Sequence, residues 1–108
     1  MTNAVEPTVY LLASRKNGTL YVGVTADLIK RLYQHRNGLI EGFTNDYGVK
    51  RLVWFERHDS MESAILREKR IKKWRRQWKI DVIEAFNPDW DDLALTLGFD
   101  PLPTLRAS

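Results

Sequence analysis

The sequence predicts an α+β fold, a three-stranded antiparallel sheet flanked by helices in the order β-β-α-β-α-α. Three observations carry that reading. Residues 8–25, "TVYLLASRKNGTLYVGVT", are two β-rich apolar runs around Asn17-Gly18, a strong hairpin signal. A third run of the same kind, "VKRLVWFER", spans Val49 to Arg57. The segments between and after these strands have helical spacing, with start and stop residues at their ends.

In the hairpin, a turn centred on Asn17-Gly18 opposes Tyr21 to Ser14, Gly23 to Leu12 and Thr25 to Tyr10. Opposed residues share a face, so Tyr10, Leu12, Tyr21 and Gly23 are expected on one side of the sheet. Gly23 contributes no side chain there, which leaves a notch walled by two phenols. Taken alone, the pair reads better as two strand tyrosines packing across a sheet. Thr25 is expected to cap the next helix, and Gly38 stands where a helix end favours a left-handed residue. "LIEGFTNDYG" is a glycine-bearing connector. Asp59 or Ser60 caps a long helix from Met61 to about Trp74. A further helix runs from roughly Gln77 to Phe86, where Asn87-Pro88 ends it. "DWDDLALTLG" adds a short helix, with Asp89, Asp91 and Asp92 as charges near its N-terminal end. "FDPLPTLRAS" has two prolines and no periodicity. The expected organisation is one domain over residues 1–95 and a mobile C-terminal tail over 96–108.

The 108 residues are 44% hydrophobic and 29% charged, enough for one packed core without staples. There is no cysteine, which excludes disulfides and thiolate metal sites. No apolar run reaches membrane-spanning length, and "MTNAVEPTVY" lacks the basic start and apolar stretch of a signal peptide. A cytoplasmic protein with no membrane partner is expected. The net charge of +3 is unevenly spread: "REKRIKKWRRQWK", Arg67 to Lys79, holds eight basic residues and one acid. Such a run with interleaved tryptophans is the electrostatic footprint of a nucleic-acid binder. A solvated helix face, with arginine and lysine stems covering apolar surface, is the plainer alternative.

Three residue types stand out for chemistry. Arg31 and His35 are four apart and therefore neighbours on one helix face. An arginine offers a fixed charge and a planar fork suited to phosphate oxygens, and a histidine can move a proton near neutral pH. Glu68 falls inside the apolar stripe of its helix, with Met61, Ala64, Ile65 and Ile71 all within about 60° of it. A buried carboxylate needs a positive partner. Lys72 at i+4 supplies one as an ordinary helix ion pair; a divalent cation is the other option. Asn87, before Pro88, reads as a turn residue.

Together these residues resemble the GIY-YIG nuclease family, in particular its small bacterial stand-alone members. Thr8-Val9-Tyr10 is similar to the first motif, with Thr8 where the family has glycine, and Tyr21-Val22-Gly23 is similar to the second. "DLIKRLYQHRNG" resembles the arginine helix, "AILREKRIKKWRR" the helix with the metal-binding glutamate, and "FNPDWDDL" the segment bearing an asparagine. The similarity runs from about Thr8 to Leu93.

The resemblance implies cleavage of DNA phosphodiesters with Mg2+ or Mn2+ held on Glu68, on structured or damaged DNA. It implies catalytic roles for Tyr10, Tyr21, Arg31, His35 and Glu68. A tyrosine phenol activates or orients the attacking water, Tyr21 being preferred over Tyr10, and His35 helps in proton transfer or leaving-group contact. Gly23, Asn87, Arg70, Lys73 and Arg76 are the expected substrate-binding residues, with Gly23 letting the backbone come close. Larger relatives attach separate DNA-recognition domains; here specificity must come from the basic helix, from structure in the DNA or from a partner protein. Two competing readings are a nucleic-acid-binding module with little or no turnover and a protein-interaction domain that keeps the fold.

Overall fold

The computed structural model describes residues 6–40 and 42–103. Three strands, β1 (Thr8–Ala13), β2 (Leu20–Thr25) and β3 (Arg51–Arg57), form one antiparallel sheet in the order β2-β1-β3. All six residues of the central strand are buried, as a strand covered on both faces requires. Helices α1 (Leu28–Arg36), α2 (Phe43–Asp46), α3 (Met61–Lys72) and α4 (Arg76–Phe86) and a 3-10 turn at Leu93–Leu97 surround it. The alternation of β1 sorts the core into two layers. Val9, Leu11 and Ala13 pack with Ala64, Ile71 and Ile83 of α3 and α4. Tyr10 and Leu12 pack with Leu28 and Leu32 of α1 and with Ala94 of the 3-10 turn.

The hairpin register differs from the expected one. Tyr10 opposes Gly23 and Leu12 opposes Tyr21, a slip of two residues that centres the turn on Lys16-Asn17. Asn17 takes the left-handed position with φ 59°, and Gly18 serves a different purpose. A Cβ at Gly18 would overlap the Ser14 hydroxyl, so the glycine permits a close approach there. A slip of two preserves the faces of a strand, and Tyr10, Leu12, Tyr21 and Gly23 still share one side.

Other differences are local. Asp27 rather than Thr25 caps α1, its carboxylate accepting from the Lys30 backbone N–H at 3.1 Å; Thr25 accepts from the Asp27 N–H instead. Gly38 follows α1 with φ 67°, as its position suggested. Part of the expected connector is the one-turn helix α2. Of the α3 stripe, Ala64, Glu68 and Ile71 are buried but Ile65 is 38% exposed. β3 bulges so that Val53 lies between the residues opposite Leu11 and Leu12.

The expected mobile tail is corrected over its first part. Leu97 and Phe99 pack against the second core layer, Arg36 stacks over the Phe99 ring at 5.4 Å, and its guanidinium donates to the Asp100 carbonyl at 2.6 Å. Residues 104–108 lie outside the described residues. Among the described residues, no helix is long and apolar enough to cross a membrane.

Candidate active site

The corner where β2 runs into α1 brings Tyr10, Tyr21 and His35 together. The Tyr10 ring lies over Gly23, where a Cβ would overlap its Cζ and hydroxyl. The notch expected above the glycine is thus filled by Tyr10 itself. Its hydroxyl is 3.1 Å from His35 Nε2, and His35 Nδ1 is 3.1 Å from the Thr44 hydroxyl. Tyr10 and His35 are 2% and 3% exposed, so this Tyr10–His35–Thr44 chain is a buried polar network with each partner engaged. The Tyr21 ring stands 6.4 Å from Tyr10 and 5.7 Å from His35 between centroids, and is only half-buried.

Burial sets the proton positions here. It pushes the Tyr10 phenol well above its ordinary value near 10; the neighbouring Tyr21 adds to the rise, Arg31 opposes it, and Glu68 adds a little more. Burial also lowers His35 to about 4, with the Arg31 charge acting in the same direction. His35 is therefore a neutral imidazole at pH 7, which corrects the expectation of a residue titrating near neutrality. As a neutral ring it can accept a proton or a hydrogen bond but has none to give as an imidazolium.

Arg31 projects from the same face of α1, close enough for its charge to act on both groups. Among the described residues, no hydrogen bond or ion pair engages its guanidinium. Across β2, α3 brings up Glu68, 7% exposed, whose Oε2 is 2.6 Å from Lys72 Nζ. That hydrogen bond raises the Lys72 ammonium above its usual value. The helix ion pair expected as one of two options is formed.

The residues expected to bind substrate divide. Arg70 and Lys73 are exposed on the basic run. Arg76 is not free: its guanidinium donates to the Asn17 and Gly18 carbonyls at 2.8 and 2.7 Å, clamping the hairpin turn. Asn87 is likewise structural. Its Nδ2 donates to the carbonyls of Val53 at the bulge (3.1 Å) and of Asp91 (2.9 Å), and its Oδ1 accepts from the Asp91 N–H. Three hydrogen bonds take up both Asn87 amide hydrogens and one lone pair of its oxygen, and one Arg76 nitrogen is taken up by the hairpin turn, so both residues have a structural task whatever they bind.

Two contributions escaped the sequence. Thr44, on the four-residue helix α2, completes the network behind His35, and four residues show no period. The other is a buried pair, Arg36 with Asp92 at 3.0 Å, which fixes the end of α1 against the 3-10 turn. The Asp92 Oδ1 also accepts from the Leu52 N–H. Basic and acidic partners this far apart in sequence give no local signal.

A tyrosine pair on a hairpin, an arginine and a histidine one helical turn apart, and a glutamate on a later helix thus lie at one corner of a small α+β domain. The profile of the GIY-YIG catalytic domain matches residues 6–81, and the chain belongs to that family. Relatives include a UPF0213 protein of Clostridium perfringens, 38% identical over 71% of this chain and 82% of its own length. A UPF0213 protein of Syntrophus aciditrophicus is 35% identical over 75% of this chain and 92% of its own. The solution structure of the UPF0213 protein BH0048 from Bacillus halodurans is similar with a TM-score of 0.52 and 26% identity, covering 88% of this chain and 99% of that one.

Proposed function

We propose that the chain is a divalent-metal-dependent endonuclease that hydrolyses DNA phosphodiester bonds, on structured or damaged DNA. The observation that carries this reading is the convergence of half-exposed Tyr21, Arg31 and buried Glu68 around the Tyr10–His35 hydrogen bond.

Each residue then has a distinct task. The Tyr10 phenol stays protonated and donates to the neutral His35 Nε2, whose Nδ1–H donates to Thr44; this holds the floor of the site rigid. Tyr21, the more accessible of the two, orients the attacking water and, as phenolate, takes its proton. The water oxygen forms a bond to phosphorus as the bond to the leaving oxygen breaks. Arg31 offsets the charge on the phosphate oxygens as they are attacked.

The donors present fit magnesium or manganese. Glu68 offers a hard carboxylate oxygen, and among the described residues no three acidic or histidine side chains converge. A cation here would rest on one protein carboxylate, with water and phosphate completing its shell, a common magnesium arrangement. When bound, it would supply further charge stabilisation to the phosphate. The Glu68–Lys72 pair favours a second reading, a nucleic-acid-binding module with little turnover, because it already satisfies the carboxylate.

Incubation with branched, nicked and plain duplex DNA, with Mg2+ or Mn2+ against a chelator, separates the two. Cleavage should need the metal and be lost in Glu68→Gln, while DNA binding stays nearly intact. Undiminished cleavage in that variant would refute the role given to Glu68, and no cleavage under any condition would favour the binding module.

A further inference from the structure

The chain leaves two tryptophans at the surface where α3 meets α4. Trp78 is 50% exposed and Trp74 only partly buried, whereas Trp54 and Trp90 are 4% and 0% exposed. The two surface rings meet edge to face at 6.4 Å. Arg67 lies over the Trp74 ring at 5.2 Å and Arg75 over the Trp78 ring at 5.1 Å. With Asp81 and Val82 the two indoles line an open groove. Core packing accounts for Trp54 and Trp90, but not for an indole held half in water.

Charge decides what suits this groove. Arg70, Lys73, Arg75 and Lys79 belong to the same short stretch of chain. Asp81, the acid lining the groove, is engaged by the Gln77 side-chain amide at 2.9 Å. Flat aromatic surface among cations matches a polyanion whose repeating units carry flat rings. Single-stranded nucleic acid is such a ligand: its bases stack on indoles and its phosphates meet the arginines and lysines. An acidic peptide would meet the charges and leave the rings without a partner. The groove also adjoins the helix of the candidate site, since Trp74 follows two residues after Lys72, which pairs with Glu68.

We propose that the Trp74–Trp78 groove is a binding site for an unpaired nucleobase of single-stranded nucleic acid, stacked on Trp78, with the flanking phosphates on the neighbouring basic side chains. The site needs no turnover, so it stands or falls separately from the cleavage chemistry.

Tryptophan emission of the full chain, in chelator so that nothing is cleaved, provides the test. The probes are a short (~10-nucleotide) oligothymidylate, an abasic oligomer with the same number of phosphates, and polyglutamate. Oligothymidylate should quench the emission and bind about tenfold tighter than the abasic oligomer, within the range that base stacking contributes. Trp78→Ala should erase that preference without weakening abasic binding, and Trp78→Phe should keep part of it. Equal affinity for the two oligomers, an unchanged preference in a folded Trp78→Ala, or equal quenching by polyglutamate would overturn the proposal. If Trp78→Ala fails to fold, the wild-type comparison and Trp78→Phe decide it. Loss of cleavage in Glu68→Gln with base-dependent binding retained would leave this site intact, and the converse would remove it alone.

Discussion

Acidification from pH 7 to pH 4 should destabilise the fold through His35. The buried ring is lowered from its ordinary 6.5 to about 4, first by burial and then by Arg31. Folding therefore favours the neutral form, and between those two values the unfolded chain binds a proton that the folded chain does not. The contribution is fully present above pH 6.5 and is lost as pH falls through about 4. At 1.36 kcal/mol per pH unit this amounts to about 3 kcal/mol, a large part of the ~5–15 kcal/mol that holds a typical domain. The groups facing the ring are Tyr10, Tyr21, Arg31 and Thr44, and among the described residues no carboxylate hydrogen-bonds to it to stabilise an imidazolium. Urea unfolding followed by far-ultraviolet circular dichroism, stepped from pH 7.5 to 3.5, measures the loss in the parent and in His35→Gln. Every other group is common to both chains, so the difference between the curves belongs to His35. The parent should lose about 3 kcal/mol more than the variant. Parallel curves would refute the assignment of a buried neutral imidazole.

Gly23→Ala should drive the Tyr10 ring out of its seat and break its bond to His35, costing about 1–3 kcal/mol by denaturant unfolding; a change near zero would show that the ring can shift freely. Tyr10→Phe and Tyr21→Phe should part company. The first removes a buried hydroxyl from His35 and should cost about 1 kcal/mol of stability; the second should leave stability unchanged and, if Tyr21 takes the proton, slow DNA cleavage ~10²–10⁴-fold. A larger rate loss in Tyr10→Phe at matched stability would exchange their roles.

The legible parts of the site are those that tolerate small errors of register. Two tyrosines separated by a hairpin keep a common face under any slip of two residues, so the pair was readable although its turn was misplaced. The spacing of Arg31 and His35 and the apolar stripe around Glu68 are likewise local periodicities. What stayed hidden joins segments far apart in sequence. Thr44 reaches His35 from a one-turn helix, and Asp92 reaches Arg36 across a separation of 56 residues. Arg76 shows the same limit from the other side. In sequence it is one more cation in a basic run; in the fold its guanidinium is committed to two carbonyls of the hairpin turn. The neutrality of His35 follows from burial, which depends on how α1, α2 and the sheet close together.

The two partners weighed for Glu68 are better understood as successive than as exclusive. A carboxylate 7% exposed in the apolar stripe of α3 needs a cation beside it whether or not substrate is present. Lys72 meets that need with a side chain that is 55% exposed and attached by a flexible stem. Its departure would require no repacking of the core, only rotation of the stem toward solvent. On the proposed reading, Glu68 would hold a divalent cation once Lys72 swings aside, and the displaced ammonium would stay close to the phosphate. The ion pair then holds the carboxylate in place between turnovers, and the cleavage assay decides between that resting role and the binding module that the same pair favours.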